Sequence, residues 1–335
     1  MRQSEDTMTR LKRSVVVGLA SMLLALGATA ASSQQRDKIT MVVFGAPSLG
    51  AFLPPIIKAQ KFDEANGLDV TFEERPPDAY VAQFNSGEFK VGGSASLMTV
   101  GLADVRGVKV SYLFNLFDFW GAVVTSKPEV KTLKDLEGRQ LAAARSTTNY
   151  LMFEWLAKKQ GVDTSKIAVV NTATPGLLGF ALADRADAVQ IWEPAYTILL
   201  SRKPDIRTLD DGTEATWKAF SGGGSRIPYL GVAAHQDWIE QNKALVPRLY
   251  KAYQQAADWL KANPDAAAKL ITPQATAADL AALTASIRAN NRLALNLSPA
   301  ADVRNEIQSV YKAGIESGFL GQMPSDASIY GGPIK

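Results

Sequence analysis

From Lys38 onward the chain alternates short apolar runs with stretches of helical periodicity, and that alternation admits few architectures. Strands separated by helices pair in parallel, so the pattern predicts an α/β sheet. "KITMVVFG" reads as the first strand, closed by the turn formers Gly45, Pro47, Ser48 and Gly50. "AFLPPIIKAQKFDEANG" reads as a helix, with Pro54 and Pro55 in its first turn and Gly67 just past its end. "LDVTFEE" is a second strand, and "PDAYVAQFNSG" a helix with Asp78 as its cap. "KVGGSASLMTVGLADVRG" passes from a short strand through a glycine turn into a helix, and "VKVSYLFNLFDFWGAVVTS" has the length of two strands broken over Asn115 to Trp120.

After Ser126 the unit restarts: "TLKDLEG" as a short helix, "RQLAAA" a strand, "TTNYLMFEWLAKKQG" a helix and "IAVVNTA" a strand. A helix to Asp184, a strand at Asp187 to Ile191 and a helix from Pro194 follow. "IPYLGVAAH" returns as a strand to the first unit, and the Ala-, Leu- and Lys-rich tail from Gln236 reads as several helices without a new sheet. The expected organisation is a discontinuous domain of residues 34–124 and 230–335 around an inserted domain of 125–229. At 335 residues and 47% hydrophobic composition, the chain has the material for two such cores.

The first thirty residues differ. Arg10, Lys12 and Arg13 precede "SVVVGLASMLLALG", and "ATA" supplies a small-residue cleavage site, the pattern of a secretory signal peptide over residues 1–30. The apolar run falls short of the roughly 20 residues a membrane span needs. Removing four basic and two acidic residues with that segment leaves the exported chain close to neutral. No Lys/Arg block marks a phosphate-backbone partner, so no nucleic acid is expected. The chain has no Cys and one His, which excludes disulfides, a thiolate nucleophile and a multi-histidine metal site; no metal and no cofactor are expected. A periplasmic protein fits these facts best.

"FGAPSLGAFLPPIIKAQKFDEANGLDVTFEE", "QFNSGEF", "KTLKDLEGRQLAAA" and "ALADRADAVQIWEPA", in that order, resemble the substrate-binding proteins of ABC importers for nitrate, sulfonate and taurine (the NitT/TauT family) across nearly the whole mature chain. Lys90 stands where that family usually has an acid. The resemblance implies a type II periplasmic binding protein: two doubly wound α/β domains joined by a hinge, with C-terminal helices, closing like a flytrap on a ligand and presenting it to a membrane permease. Such a protein acts as a monomer, captures a small molecule and catalyses nothing. Open parallel sheets bind ligands beyond the carboxyl ends of their strands, which agrees with this reading.

The stretch "LAAARSTTNY" then gains meaning. If "RQLAAA" ends at the cleft, Arg145 stands at its carboxyl end while Ser146, Thr147 and Thr148 open the next helix. Unpaired N–H groups, hydroxyls and a planar cationic fork in one turn suit a sulfonate or carboxylate; the alternative is a capped helix with a surface arginine. Ser94 and Ser96 after Gly92 and Gly93, and Ser48, Leu49 and Gly50 in the first loop, are further candidates. From "FNLFDFW" Phe117 and Trp120 are chosen as walls for an aromatic or aliphatic ligand body, and from "QIWEPAY" Trp192 and Glu193, the latter doubling as a helix-dipole partner. Arg226 reads as a solvated surface cation.

A neutral or cationic heterocycle, such as a thiamine-precursor pyrimidine stacked between Trp120 and Trp192 and bonded to Glu193, is the competing ligand class. An enzyme on the same scaffold is the competing function class. Proteins resembling this family that make the pyrimidine of thiamine use a cysteine-rich motif and a histidine, and this chain has neither Cys nor any histidine but His235.

Overall fold

The computed structural model describes residues 36–334 other than 47, 146, 173, 210 and 211. The predicted signal peptide, and Ser146 of the candidate residues, lie outside the described residues.

Eleven strands among the described residues form two sheets. The first sheet holds β1 (Asp37–Phe44), β2 (Leu68–Arg75), β3 (Val91–Ser96) and β4 (Val110–Asp118). The chain then crosses to the second, which holds β5 (Ala122–Thr125), β6 (Gln140–Ala143), β7 (Ala168–Asn171), β8 (Ala188–Ile191) and β9 (Arg207–Thr208). It returns with β10 (Pro228–His235) and β11 (Leu295–Pro299) to give the orders β11-β4-β10-β3-β1-β2 and β7-β6-β8-β5-β9. The early strands pair in parallel, as β1 does with β2 and β3 and as β6 does with β7 and β8. The returning β10 is wedged antiparallel between β3 and β4.

Helices cover both faces of the first sheet, and strand alternation sorts the side chains between them. Ile39 and Met41 of β1 face the helices Leu53–Ala59 and Leu245–Ala262, whereas Val42 faces Pro77–Ser86 and Leu97–Val105. The second face is continuous with Met152, Trp155 and Leu156 of the helix Thr148–Lys159 and with Trp217, so one apolar cluster runs between the two sheet-centred halves.

Several local readings change. The predicted first helix is a 3-10 turn at Leu49–Ala51 and two helices, Leu53–Ala59 and Phe62–Ala65, separated at Lys61, whose φ is 56°. Asp78 does not cap: the helix starts at Pro77 after Pro76, and its side chain makes no cap bond. Gly92 and Gly93 form no turn but lie inside β3, because a methyl on Gly92 would overlap the Tyr80 hydroxyl and one on Gly93 would press on the Tyr253 hydroxyl and Val43. β4 runs through Asn115 to Asp118, since it is paired on both sides by β10 and β11, and the break falls at 119–121. The tail adds no sheet, but it does add the edge strand β11.

The two crossings between sheets are tied together. Asp118 at the end of β4 receives Arg226 through Nε (2.9 Å) and Nη2 (3.1 Å), with Asn296 Nδ2 (2.8 Å) and Asn115 Nδ2 (2.9 Å) completing the carboxylate. Phe119 N–H donates to the Ile227 carbonyl at 2.7 Å beside them. Arg226 is therefore no solvated surface cation: it is half-buried in a bidentate pair that binds the outgoing strand to the returning one.

Candidate functional site

The turn after β6 is built by its own polar groups. Thr147 donates its hydroxyl to the Ala144 carbonyl (2.7 Å) and accepts from the Tyr150 N–H (3.2 Å), so it is the N-cap of the twelve-residue helix Thr148–Lys159. Asn171, at the end of the neighbouring β7, takes the Arg145 N–H at 3.0 Å and pins the turn from outside. The Arg145 side chain is exposed, its guanidinium 5.8 Å from the Tyr150 ring centre. Among the described residues no carboxylate pairs with it. Burial raises the Tyr150 phenol above its ordinary pKa, with the Glu154 charge adding to this and the Arg145 charge opposing it.

Two helix starts meet at this turn. Ser96, which precedes the helix Leu97–Val105, makes no side-chain cap; its hydroxyl instead lies 2.7 Å from the Thr148 hydroxyl of the other half. Asn149 Nδ2 donates to the Tyr229 hydroxyl at 2.8 Å, and Gln190 Nε2 on β8 donates to the Asn149 carbonyl at 2.7 Å. Tyr229 stands at the start of β10, and its own N–H donates to Asn115 Oδ1 at 3.2 Å, which leads back to the Asp118 and Arg226 crossing. Burial raises the Tyr229 phenol far above its ordinary pKa, offset in part by the Asn149 amide. A helix start with free N–H groups, hydroxyls and a cation can hold a small oxyanion, while the ring faces of Phe119 and Tyr229, 6.0 Å apart and edge to face, offer an apolar wall.

Arg145, Thr147, Thr148 and Ser96 are thus brought together. The other candidates have different tasks. Ser94 is fully buried, and its hydroxyl accepts the Phe44 N–H at 2.9 Å beneath Gly50, where a methyl would overlap it; both hold the end of β1. Leu49 is buried in the first-sheet core, and Ser48 is half-buried with a sheltered hydroxyl. Phe117 is core, not wall: it is 0% exposed and packs edge-on against Phe52. Trp120 and Trp192 are half-buried against the second-sheet cluster, Trp120 4.9 Å from Tyr196. Glu193 is buried and fully engaged by Arg292 Nε (3.0 Å), Thr197 N (3.2 Å), Thr197 Oγ1 (2.7 Å) and Ser286 Oγ (3.3 Å). The dipole-partner reading of it holds, and its charge is already answered by Arg292 inside the protein. Lys90 pairs with Asp237 at 2.7 Å. His235 lies at the end of β10 remote from Pro228, its Nε2 2.6 Å from the Phe84 carbonyl.

Asn149, Tyr229, Gln190 and Asn171 were missed. The signal for Asn149 was in plain sight: an Asn in a first helical turn next to two threonines, where an apolar or alanine residue favours the helix more. Tyr229 and Gln190 are placed by strand pairing, which no local pattern reveals.

Two sheets whose strand ends and helix starts face each other across paired crossings define the periplasmic binding protein fold, and comparison with known proteins agrees. A model of the family described as NMT1/THI5 like matches residues 57–267. The chain belongs to the NMT1/THI5-like family. The alkanesulfonate-binding protein SsuA from Xanthomonas axonopodis pv. citri, bound to MOPS, superposes with a TM-score of 0.68 at 15% identity over 88% of this chain and 98% of that one. The periplasmic aliphatic sulphonate binding protein SsuA from Escherichia coli gives 0.68 at 15% identity over 86% and 95%. A Candida albicans protein described as defining a new family with the generic periplasmic binding protein fold gives 0.60 at 15% identity over 88% and 93%. No curated protein matches the chain. The family match and the shared fold bear out the resemblance drawn from "KTLKDLEGRQLAAA" and "ALADRADAVQIWEPA".

Proposed function

We propose that the protein is exported to the periplasm, holds a small organic anion, a sulfonate or carboxylate, between its two sheet-centred halves, and delivers it to the permease of an ABC importer. The halves, one built on β1–β4, β10 and β11 and the other on β5–β9, serve as the closing domains of a monomer; the places of β5 (Ala122–Thr125) and β10 (Pro228–His235) move the expected boundaries at 124 and 230 back to the crossings before each strand. The observation that carries the anion is Arg145: an exposed cation without an acidic partner among the described residues, set at a helix start backed by the Thr147 and Thr148 hydroxyls. The sulfonates bound by the two SsuA proteins support the same ligand class. A heterocycle held by Glu193 is disfavoured by the Arg292 pair, and catalysis through His235 by its place at the far end of β10.

The test is a thermal-shift screen of the chain from Ala31, unfolded and refolded to strip retained ligand, against sulfonates, carboxylates, nitrate and pyrimidines. At a ligand concentration roughly 100 times Kd the native state gains about 2.7 kcal/mol, enough to move the melting temperature visibly. A shift with organic anions that vanishes in Arg145→Ala is the expected result; a shift with pyrimidines alone, unchanged in that variant, overturns the anion reading.

A further inference from the structure

Two side-chain amides beside the Arg145 turn each have an oxygen with nothing to accept. Asn149 is 1% exposed and Gln190 2%, and among the described residues neither Asn149 Oδ1 nor Gln190 Oε1 has a donor. A buried acceptor left unpaired is a standing cost that an alkyl side chain of similar shape avoids. The orientation of Gln190 is set by its neighbour: its Nε2 donates to the Asn149 backbone carbonyl, which can only accept, so the oxygen is the free end. Asn149 spends its Nδ2 on Tyr229, and its Oδ1 turns toward the crossing between the sheets. There it faces Gly121, where a methyl would stand 4.0 Å away, next to the Phe119 ring. Gly121 and Tyr229 are half-buried beside it, so the oxygen lies just under the crossing between the two halves. The Tyr229 hydroxyl, having accepted from Asn149, still has its own proton to donate. An acceptor and a donor thus stand side by side, one residue along the chain from the Thr148 hydroxyl.

We propose that Asn149 Oδ1 is a specificity element that selects organic anions carrying an N–H or O–H donor on the body over analogues that lack one, with Gln190 holding the Asn149 backbone in place. This rests on the reading of the Arg145 turn as the anion seat: the head binds there, and the donor of the body reaches Asn149. A ligand without a donor leaves the acceptor unpaired in the closed protein, and sites of this kind reject such analogues strongly.

The experiment is calorimetric titration of the chain from Ala31 with matched pairs: benzenesulfonate against 4-aminobenzenesulfonate, benzoate against 4-hydroxybenzoate with 4-methoxybenzoate as the size control, and ethanesulfonate against 2-hydroxyethanesulfonate. In at least one pair the donor-bearing member should bind about tenfold tighter or more, the factor that one paired buried acceptor supplies. Asn149→Leu should bring that ratio to near one, while Tyr229→Phe, which cuts the tie but keeps the oxygen, should preserve the preference. Equal binding within every pair by the wild type overturns the proposal, whether or not Asn149→Leu folds; if that binding is still lost in Arg145→Ala, the anion seat stands without it. If no anion binds, the anion reading falls, and benzamide against methyl benzoate decides: a preference for the amide removed by Asn149→Leu sustains the donor site, and no preference overturns it too.

Discussion

The turns after β6 and β8 are near twins in construction, since both lead from adjacent parallel strands of one sheet into a helix, and both carry a charge at the helix start. In "WEPAYT" the charge is Glu193, the sign that the positive end of a helix attracts. It is buried, it takes Thr197 N–H and hydroxyl, and Arg292 neutralises it. In "ARSTTN" the charge is Arg145, the sign that a helix start repels, exposed and with no acid beside it among the described residues. A charge that its own helix opposes and no described carboxylate answers is positioned for a partner from outside. The Glu193 turn is a joint; the Arg145 turn is the one we propose as a receptor.

Removing each charge should separate the two roles. Glu193→Ala strands Arg292 and three further donors in a largely buried contact, and breaking such a pair costs about 3–5 kcal/mol; the urea midpoint should fall correspondingly. Arg145→Ala should leave that midpoint within about 0.5 kcal/mol of wild type, since the exposed side chain has no described carboxylate partner and gives up only its place over the Tyr150 ring. Equal losses in the two variants would break the comparison. Arg145→Glu reverses the charge at the helix start, and with charge-assisted bonds worth about 1.5–3 kcal/mol the affinity for an organic anion should drop about tenfold to a hundredfold in titration, with the fold intact by circular dichroism.

The Ser96 and Thr148 hydroxyls sharpen the same contrast, because their 2.7 Å contact joins the receptor turn to the other sheet. Ser96→Ala leaves the Thr148 hydroxyl without its partner, a loss of about 1 kcal/mol. The expected result is a urea midpoint of the ligand-free protein lowered by that amount, less than in Glu193→Ala.

The parallel sheets, the restart after Ser126, the return of the chain at β10 and the helical tail were legible because strand and helix periods are local properties. The strand-to-helix turn at Arg145 was legible for the same reason: strand, arginine, hydroxyls and helix all follow in one stretch. What escaped is set by pairing across the chain. Phe117 reads like Trp120 in "FNLFDFW", yet double pairing of β4 sends it to Phe52 in the core. Gly92 and Gly93 read as a turn because glycine is a turn former, whereas two tyrosines distant in sequence require them inside a strand. Arg226 reads as a surface cation because Asp118 lies 108 residues away, and Glu193 reads as a helix-dipole partner open to a ligand because Arg292 lies 99 away.

Acid should distinguish the joint from the receptor more gently than mutation does. The helix Ala195–Arg202 that follows Glu193 also ends in the pair Arg202 and Asp279, with Nε to Oδ1 at 3.1 Å and Nη2 to Oδ2 at 2.5 Å. The Arg202 guanidinium, its bonds outweighing the effect of burial, holds the Asp279 carboxyl below its ordinary pKa, with the Thr276 hydroxyl helping. A carboxyl depressed in the folded protein adds stability above its unfolded value, about 3.9, and loses it as the pH falls through the folded one. Because Arg202 is 44% exposed, screening limits the contribution to about 1 kcal/mol or less. Thermal melts between pH 6 and pH 3 should therefore show Asp279→Asn less stable than wild type at the upper end, with the two curves converging toward the lower. Parallel curves would show that the pair contributes nothing, and the joint would then rest on Glu193 and Arg292 alone.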